Sequence, residues 1–195
     1  QQYTRIPSSA LNASQTLISV MAGIRCERLA SDWGTDGSIL RIMPNTAIRI
    51  QSGTIGLTSH ETANPSQIKA VNAALSALGT VVQLDESLFD AETAIGGSGP
   101  AFFYRIAQQW IAFAVAQGIP EADAQDLVAS TMTGAGRMLA ESGKRPEQLI
   151  SEVASKGGST MAGLSVFDEK DLGPQLQAIL AAATQRAAEL GKGLD

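Results

Sequence analysis

The sequence predicts an α/β layer followed by an all-helical module. In the first eighty-odd positions short apolar runs alternate with a helical pattern, and no convincing strand follows Asp85. Strand, helix and strand in alternation are typical of an α/β layer. A third observation is the nearly all-apolar stretch at residues 101–117, which has the length and composition of a buried helix.

Four short apolar runs predict the strands of the layer. They cover residues 16–21, 39–43, 53–58 and 81–84. The first run is closed by an Ala-Gly pair, and the second by Pro44, which cannot donate a hydrogen bond to a neighbouring strand. Between the third and fourth runs an Asn-Pro pair at 64–65 predicts a capped helix start, and we expect that helix to end at Gly79.

The second half contains only helical patterns. Because residues 101–117 are apolar on most faces, we expect this helix to be buried by neighbours, often by another subunit. Further helices are predicted to begin at Pro120, Pro146, Ser159 and Gly173.

Composition excludes several classes of protein. With 195 residues, 44% hydrophobic and 17% charged, the chain can bury a real core and is not intrinsically disordered. A net charge of −5 argues against a partner such as nucleic acid or an anionic membrane surface. No apolar run approaches the roughly 18 residues that a membrane span needs. The single cysteine excludes an internal disulfide framework and fits a reducing compartment, so we expect a cytoplasmic protein.

Several chemistries lack their residues. The G-x-G-x-x-G fingerprint, a P-loop and a nucleophile elbow are all absent from the sequence. The one histidine, His60, is interpreted as a solvated loop residue, and Cys26 as a small core filler. One cysteine and one histidine leave no metal cluster of nitrogen and sulfur ligands, so no metal is expected. The sequence also offers no obvious buried acid.

Two segments remain as candidate sites, each with an ordinary structural explanation beside it. A glycine pair at 157–158 directly precedes a helix, where free backbone N–H groups and the helix dipole bind a carboxylate or phosphate. The same composition also describes a helix cap after a glycine turn. The segment at 43–46, Met-Pro-Asn-Thr, follows a buried strand, where α/β sheets place their ligands. A turn built by Pro-Asn explains it equally.

These segments carry a family resemblance. V-A-S-K-G-G-S-T-M-A-G-L at residues 153–164, followed by Phe167 and Asp168, resembles the signature of Δ1-pyrroline-5-carboxylate reductases. Three further blocks resemble that family in order and spacing: S-V-M-A-G-I at 19–24, R-I-M-P-N-T at 41–46 and G-S-G-P-A at 97–101. The chain departs from the pattern at four positions: Ala47 and Lys156, where the family has proline, Gly97, where it has serine, and Ser159, where it has threonine.

The resemblance implies an enzyme that reduces 1-pyrroline-5-carboxylate to L-proline, the last step of proline biosynthesis, with hydride from NADPH or NADH. It implies a homodimer formed by the helical module, possibly assembled further into an oligomer of dimers. It assigns substrate binding to Ser155, Gly157, Gly158, Ser159, Thr160, Gly99 and Pro100, with Thr160 as the catalytic contact to the ring nitrogen. It assigns cofactor binding to Ala22, Gly23, Pro44, Asn45 and Thr46.

The resemblance also divides the chain. Residues 1–85 would be the remainder of an NAD(P)-binding Rossmann domain, and residues 86–195 a helical substrate-binding and dimerisation domain. The absent glycine fingerprint then indicates that about 60–75 residues precede Gln1 in the family, so we expect these 195 residues alone to bind NADPH poorly. Two alternatives stay open: another reductase with a Rossmann and a helical domain, such as one acting on a hydroxy acid, or a non-catalytic dimerisation remnant.

Overall fold

Four strands form one sheet in the order β1-β2-β3-β4 in the computed structural model, which describes residues 12–34 and 37–192. The strands are β1 (Thr16–Ser19), β2 (Ser38–Pro44), β3 (Gly53–Ser59) and β4 (Gly79–Gln83). The helices are α1 (Cys26–Trp33), α2 (Pro65–Leu75), α3 (Phe89–Glu92), α4 (Gly99–Ala116), α5 (Glu121–Glu141), α6 (Pro146–Val153), α7 (Ser159–Glu169) and α8 (Leu172–Lys192).

All four predicted strands are present, but the sheet is mixed. Strands β1 and β2 are parallel, with Ser19 opposite Arg41, whereas β3 runs antiparallel to β2 and parallel to β4. The predicted helix start is confirmed, since the Asn64 side chain accepts a hydrogen bond from the Ser66 N–H at 2.9 Å. Helix α2 ends earlier than expected, at Leu75, because the chain must turn before it enters β4.

The core lies on both faces of β2. Ile39 packs with Leu29 and Trp33 of α1, while Leu40 and its neighbours on the other face pack against side chains of α2. Alternate residues of a strand point to opposite faces, so a strand covered on both sides must be apolar throughout. This explains why the β2 run is continuously apolar except at Arg41. Cys26 belongs to the same core, as expected, and is 1% exposed.

The chain divides into two compact units. The sheet unit contains the described residues up to Pro100 together with those from Ala178 onward, and the helical unit is Ala101–Gln177. An α/β layer and an all-helical module are therefore both present, as the sequence predicts. The predicted functional boundary between residues 85 and 86 stays a prediction. Within residues 12–34 and 37–192, no helix combines the length and apolarity that crossing a membrane requires.

The helical unit confirms the predicted helix starts closely. Residues 101–116 of the apolar stretch lie in α4, which begins two residues before the stretch, at Gly99, and ends one residue before its last residue. The helices predicted from Pro120, Pro146 and Ser159 are α5, α6 and α7.

Candidate functional site

The first candidate region is the edge of the sheet where β1 and β2 end. Because the two strands are parallel, their carboxyl ends lie at the same edge. After β1 the chain turns at Ala22 and Gly23, and Gly23 has a φ of +79°, a conformation that favours glycine. After β2, which ends at Pro44, come Asn45 and Thr46. The fold thus brings the residues predicted to bind the cofactor to one edge.

Asn45 fixes the geometry of this edge. Its amide nitrogen donates to the Gly96 carbonyl at 3.0 Å. Its side-chain oxygen accepts from the Ala47 N–H at 3.1 Å, which caps the 3-10 helix Thr46–Ile50, and from the Thr54 N–H at 3.4 Å. The Asn45 amide therefore ties the end of β2 to β3 and to the segment that leads into the G-S-G-P block.

That segment contains a π-helical turn, Thr93–Gly97, between α3 and α4. The Ser98 N–H donates to the Thr93 carbonyl at 2.8 Å, five residues back, and Gly99 and Pro100 then open α4. Such turns are rare and are frequently found at functional sites. The hydrophobic periodicity of the sequence could not reveal this π turn, because one inserted residue leaves the apolar pattern before it and the apolar pattern after it unchanged.

A buried acidic residue, Glu92, lies next to the π turn, so the expectation that the chain has no buried acid is wrong. Glu92 is 7% exposed, and neither carboxylate oxygen has a hydrogen-bond partner among the described residues. Its side chain lies against Gly56 and Gly96, where an added Cβ would collide with the Glu92 carboxylate. Burial raises the pKa of Glu92 to about 7, although the Gly56 backbone and the positive charge of Arg41 partly oppose the shift.

An ion pair between the buried Arg41 and the partly exposed Glu86 holds the start of α1. Arg41 is 2% exposed and donates through Nη1 to the Glu86 carboxylate, and its guanidinium carbon lies 4.6 Å from the centre of the Phe89 ring. Glu86 also accepts the Cys26 N–H at 2.9 Å and so caps the first turn of α1. Burial, and then the nearby negative charge of Glu86, raise the pKa of the Cys26 thiol to about 12, so this thiol is unreactive.

The second candidate region is the loop before α7. Gly157 has a φ of +75°, and Gly158 is the residue before the first turn of α7 and offers no side-chain cap. The Gly158 N–H donates to the Ser155 carbonyl at 3.0 Å and is therefore already paired. The unpaired donors are those of the first helical turn, which begins at Ser159. The Thr160 hydroxyl makes no hydrogen bond within the described residues.

The two regions belong to different units. Ser155, Gly157, Gly158, Ser159 and Thr160 lie in the helical unit, whereas Gly99, Pro100 and the cofactor residues lie in the sheet unit. Their assignment to a single site stays a prediction.

The remaining polar candidates offer little chemistry. The Nδ1 atom of His60 lies 2.9 Å from the Thr62 hydroxyl, in the turn after β3. In the part of the chain that the structure describes, no three His, Cys, Asp or Glu side chains are grouped so that they could hold a metal ion.

Known proteins resemble this chain closely. Residues 86–190 match the family model for pyrroline-5-carboxylate reductase dimerisation. The pyrroline-5-carboxylate reductase of Synechocystis sp. is 33% identical over 176 residues, 90% of this chain and 66% of that protein. Pyrroline-5-carboxylate reductase 2 of Bacillus subtilis is 35% identical, again over 90% of this chain and over 63% of that protein. The chain thus spans just under two thirds of the length of these curated relatives.

A solved structure agrees with them. The crystal structure of Plasmodium falciparum pyrroline carboxylate reductase with NADP bound matches 91% of this chain and 72% of its own, with a TM-score of 0.84 and 28% identity.

Proposed function

This chain belongs to the pyrroline-5-carboxylate reductase family, and on that premise we propose that its protein reduces 1-pyrroline-5-carboxylate to L-proline, the last step of proline biosynthesis. The reaction is an NADPH- or NADH-dependent reduction of a C=N bond. The single observation that supports it most is the hydrogen bond from Asn45 of the R-I-M-P-N-T block to Gly96, the residue directly before the G-S-G-P-A block, at the edge of the sheet. Asn45 and Gly96 are 51 residues apart in the sequence, so only the fold brings these two segments together.

The sheet edge fits a dinucleotide. Ligands of α/β sheets bind outside the carboxyl ends of parallel strands, and β1 and β2 provide two such ends side by side. Bound NADPH or NADH would supply the hydride. The residues that would hold it are Ala22, Gly23, Pro44, Asn45 and Thr46. Because the Asn45 amide is bonded to protein on both ends, its part is to hold the turn in place.

The loop before α7 fits the substrate carboxylate. Free N–H groups at a helix start, together with the positive end of the helix dipole, bind an anion. Because the Gly158 N–H is paired with Ser155, we assign the carboxylate to Gly157 and to the first turn from Ser159 onward. A protonated cyclic imine would donate its ring N–H to the Thr160 hydroxyl oxygen. The imine carbon is then already electrophilic, and orientation is the main task left to the protein.

The helical unit supports a homodimer. It carries many large apolar side chains at its surface, including Phe103, which is 61% exposed, and Phe113, which is 68% exposed. Single chains rarely expose so much apolar surface unless another chain covers it. The matching family model is itself one of dimerisation. We therefore propose a dimer through this unit, which can assemble further into an oligomer of dimers, in the cytoplasm.

Turnover tests the proposed activity. The 195-residue chain alone should consume little NADPH with 1-pyrroline-5-carboxylate, whereas the same chain extended by the N-terminal part of the Bacillus subtilis relative should consume it steadily. No turnover by a folded, extended chain would favour the dimerisation remnant instead. Oxidation of a 2-hydroxy acid in place of imine reduction would favour the other reductase class. A clean monomer by light scattering would contradict the dimer.

Replacing Thr160 tests the substrate site. In the extended chain, Thr160→Ala should lower kcat/KM for the imine by about 10- to 100-fold and leave the KM for NADPH unchanged. Ser165→Ala is the control, because this exposed hydroxyl on the same helix only bonds the Met161 carbonyl. Equal kinetics of the two variants would contradict the assignment of Thr160 to the substrate site.

A further inference from the structure

We propose that the last turn of α8 positions the Ala22-Gly23 turn, so that Gly191 is a positioning residue for cofactor binding. The part that concerns the cofactor rests on the function proposed above. The mechanical part rests only on contacts within the sheet unit, to which both segments belong.

The two segments touch backbone to backbone. A Cβ placed on Gly191 would collide with the Gly23 carbonyl oxygen and lie 2.9 Å from the carbonyl carbon. A Cβ placed on Gly23 would collide with the Gly191 nitrogen and lie 2.9 Å from the Ala187 carbonyl oxygen. Neither position can carry a side chain unless the helix and the turn move apart.

Gly191 has no conformational reason to be glycine. Its φ lies outside the left-handed region, unlike that of Gly23, and glycine within a helix costs about 1 kcal/mol relative to alanine. The close approach of Gly23 is what requires it. Gly173, at the other end of α8, has nothing within 4 Å of an added Cβ. The steric requirement is therefore local to the last turn.

The burial of α8 is also concentrated at this contact. Ala187, one turn before Gly191, is the one buried residue of the helix and is 3% exposed. A polar cavity of about 630 Å³ opens beside the contact and is lined by both segments, from Gly23 and Ile24 to Gly191 and Lys192. A shift of the last turn would change the wall of this cavity together with the Gly23 turn.

The Gly23 turn is thus held from two directions. Its downstream end enters α1, where Glu86 accepts the Cys26 N–H at 2.9 Å. Its own backbone rests on Ala187 and Gly191. Without the contact to Ala187 and Gly191, the turn is no longer held in one orientation. A cofactor would then have to restore that orientation when it binds.

The experiment compares Gly191→Ala with Gly173→Ala, which adds the same methyl group to the same helix in open space. In the chain extended by the Bacillus subtilis N-terminal part, Gly191→Ala should raise the KM for NADPH by about ten-fold and leave the KM for the imine within about two-fold. Amide exchange over residues 20–26 should become faster by about ten-fold. Gly173→Ala should change neither quantity.

A chain ending at Leu190 removes the contact without adding a methyl group and should show the same faster exchange. Unchanged exchange in both folded variants would overturn the proposal, and so would faster exchange with an unchanged KM for NADPH. Because exchange needs no turnover, it distinguishes a failure of this proposal from a failure of the proposed activity. Faster exchange in a protein that does not reduce the imine leaves the mechanical part standing and overturns only the function.

Discussion

Glu92 should make the stability of the sheet unit depend on pH. Its pKa in the folded protein is about 7, above the ordinary value of 4.5 that it has when unfolded. The folded state therefore favours the protonated form, and ionisation costs free energy. The contribution of Glu92 to stability is fully present below about pH 4.5, is lost as the pH rises through the folded pKa of about 7, and is constant above about pH 8.

The magnitude follows from the shift. At about 1.4 kcal/mol for each pKa unit, moving from 4.5 to about 7 lowers the free energy of unfolding by about 3 kcal/mol, most of it between about pH 5 and pH 8. Solvent screens this charge little, because Glu92 is 7% exposed. Glu92→Gln keeps the shape and removes the charge, so it should stabilise the chain by about 2–3 kcal/mol at about pH 8 and by little at about pH 5.

Denaturant unfolding at several pH values measures how the free energy of unfolding depends on pH. The buried Trp33 reports on the sheet unit by fluorescence when Trp110 is replaced by phenylalanine in every variant. Glu61→Gln is the control, since it removes an exposed carboxylate from the same unit and should leave the pH dependence unchanged. If Glu92→Gln and its parent lost stability in parallel between about pH 5 and pH 8, the reasoning would be refuted.

Three further predictions concern the same unit. Arg41→Met should lower the free energy of unfolding by about 3–5 kcal/mol, because it leaves the Glu86 carboxylate without its cation. Adding Glu86→Gln should recover part of this loss, and a double variant without any recovery would argue against the ion pair. Asn45→Ala should lower the free energy of unfolding by about 2 kcal/mol in the same assay, since it removes a helix cap and the hydrogen bond to Gly96. An unchanged free energy of unfolding would mean that the turn does not depend on the Asn45 side chain. The Cys26 thiol should react with iodoacetamide only as fast as the protein unfolds, and rapid labelling of the native protein would contradict its burial and raised pKa.

Local patterns determined which elements form. Each strand was found at an apolar run, and α2 begins where an Asn-Pro pair predicts a capped start. These features depend on residues within one helical turn or strand, so a single sequence contains them. The blocks at 41–46 and 153–164 likewise identified the family without any knowledge of how the chain folds.

Tertiary structure alone decided the direction of β3, the π turn and the burial of Glu92. In the sequence Glu92 is one more acidic residue after Asp90, and only the packing of the π turn on β3 places its carboxylate against Gly56. The same holds for the contact of Gly23 with Gly191, which are 168 positions apart. Burial, pKa and close backbone approach depend on atoms that the chain brings together from far apart, whereas propensity and periodicity depend only on near neighbours.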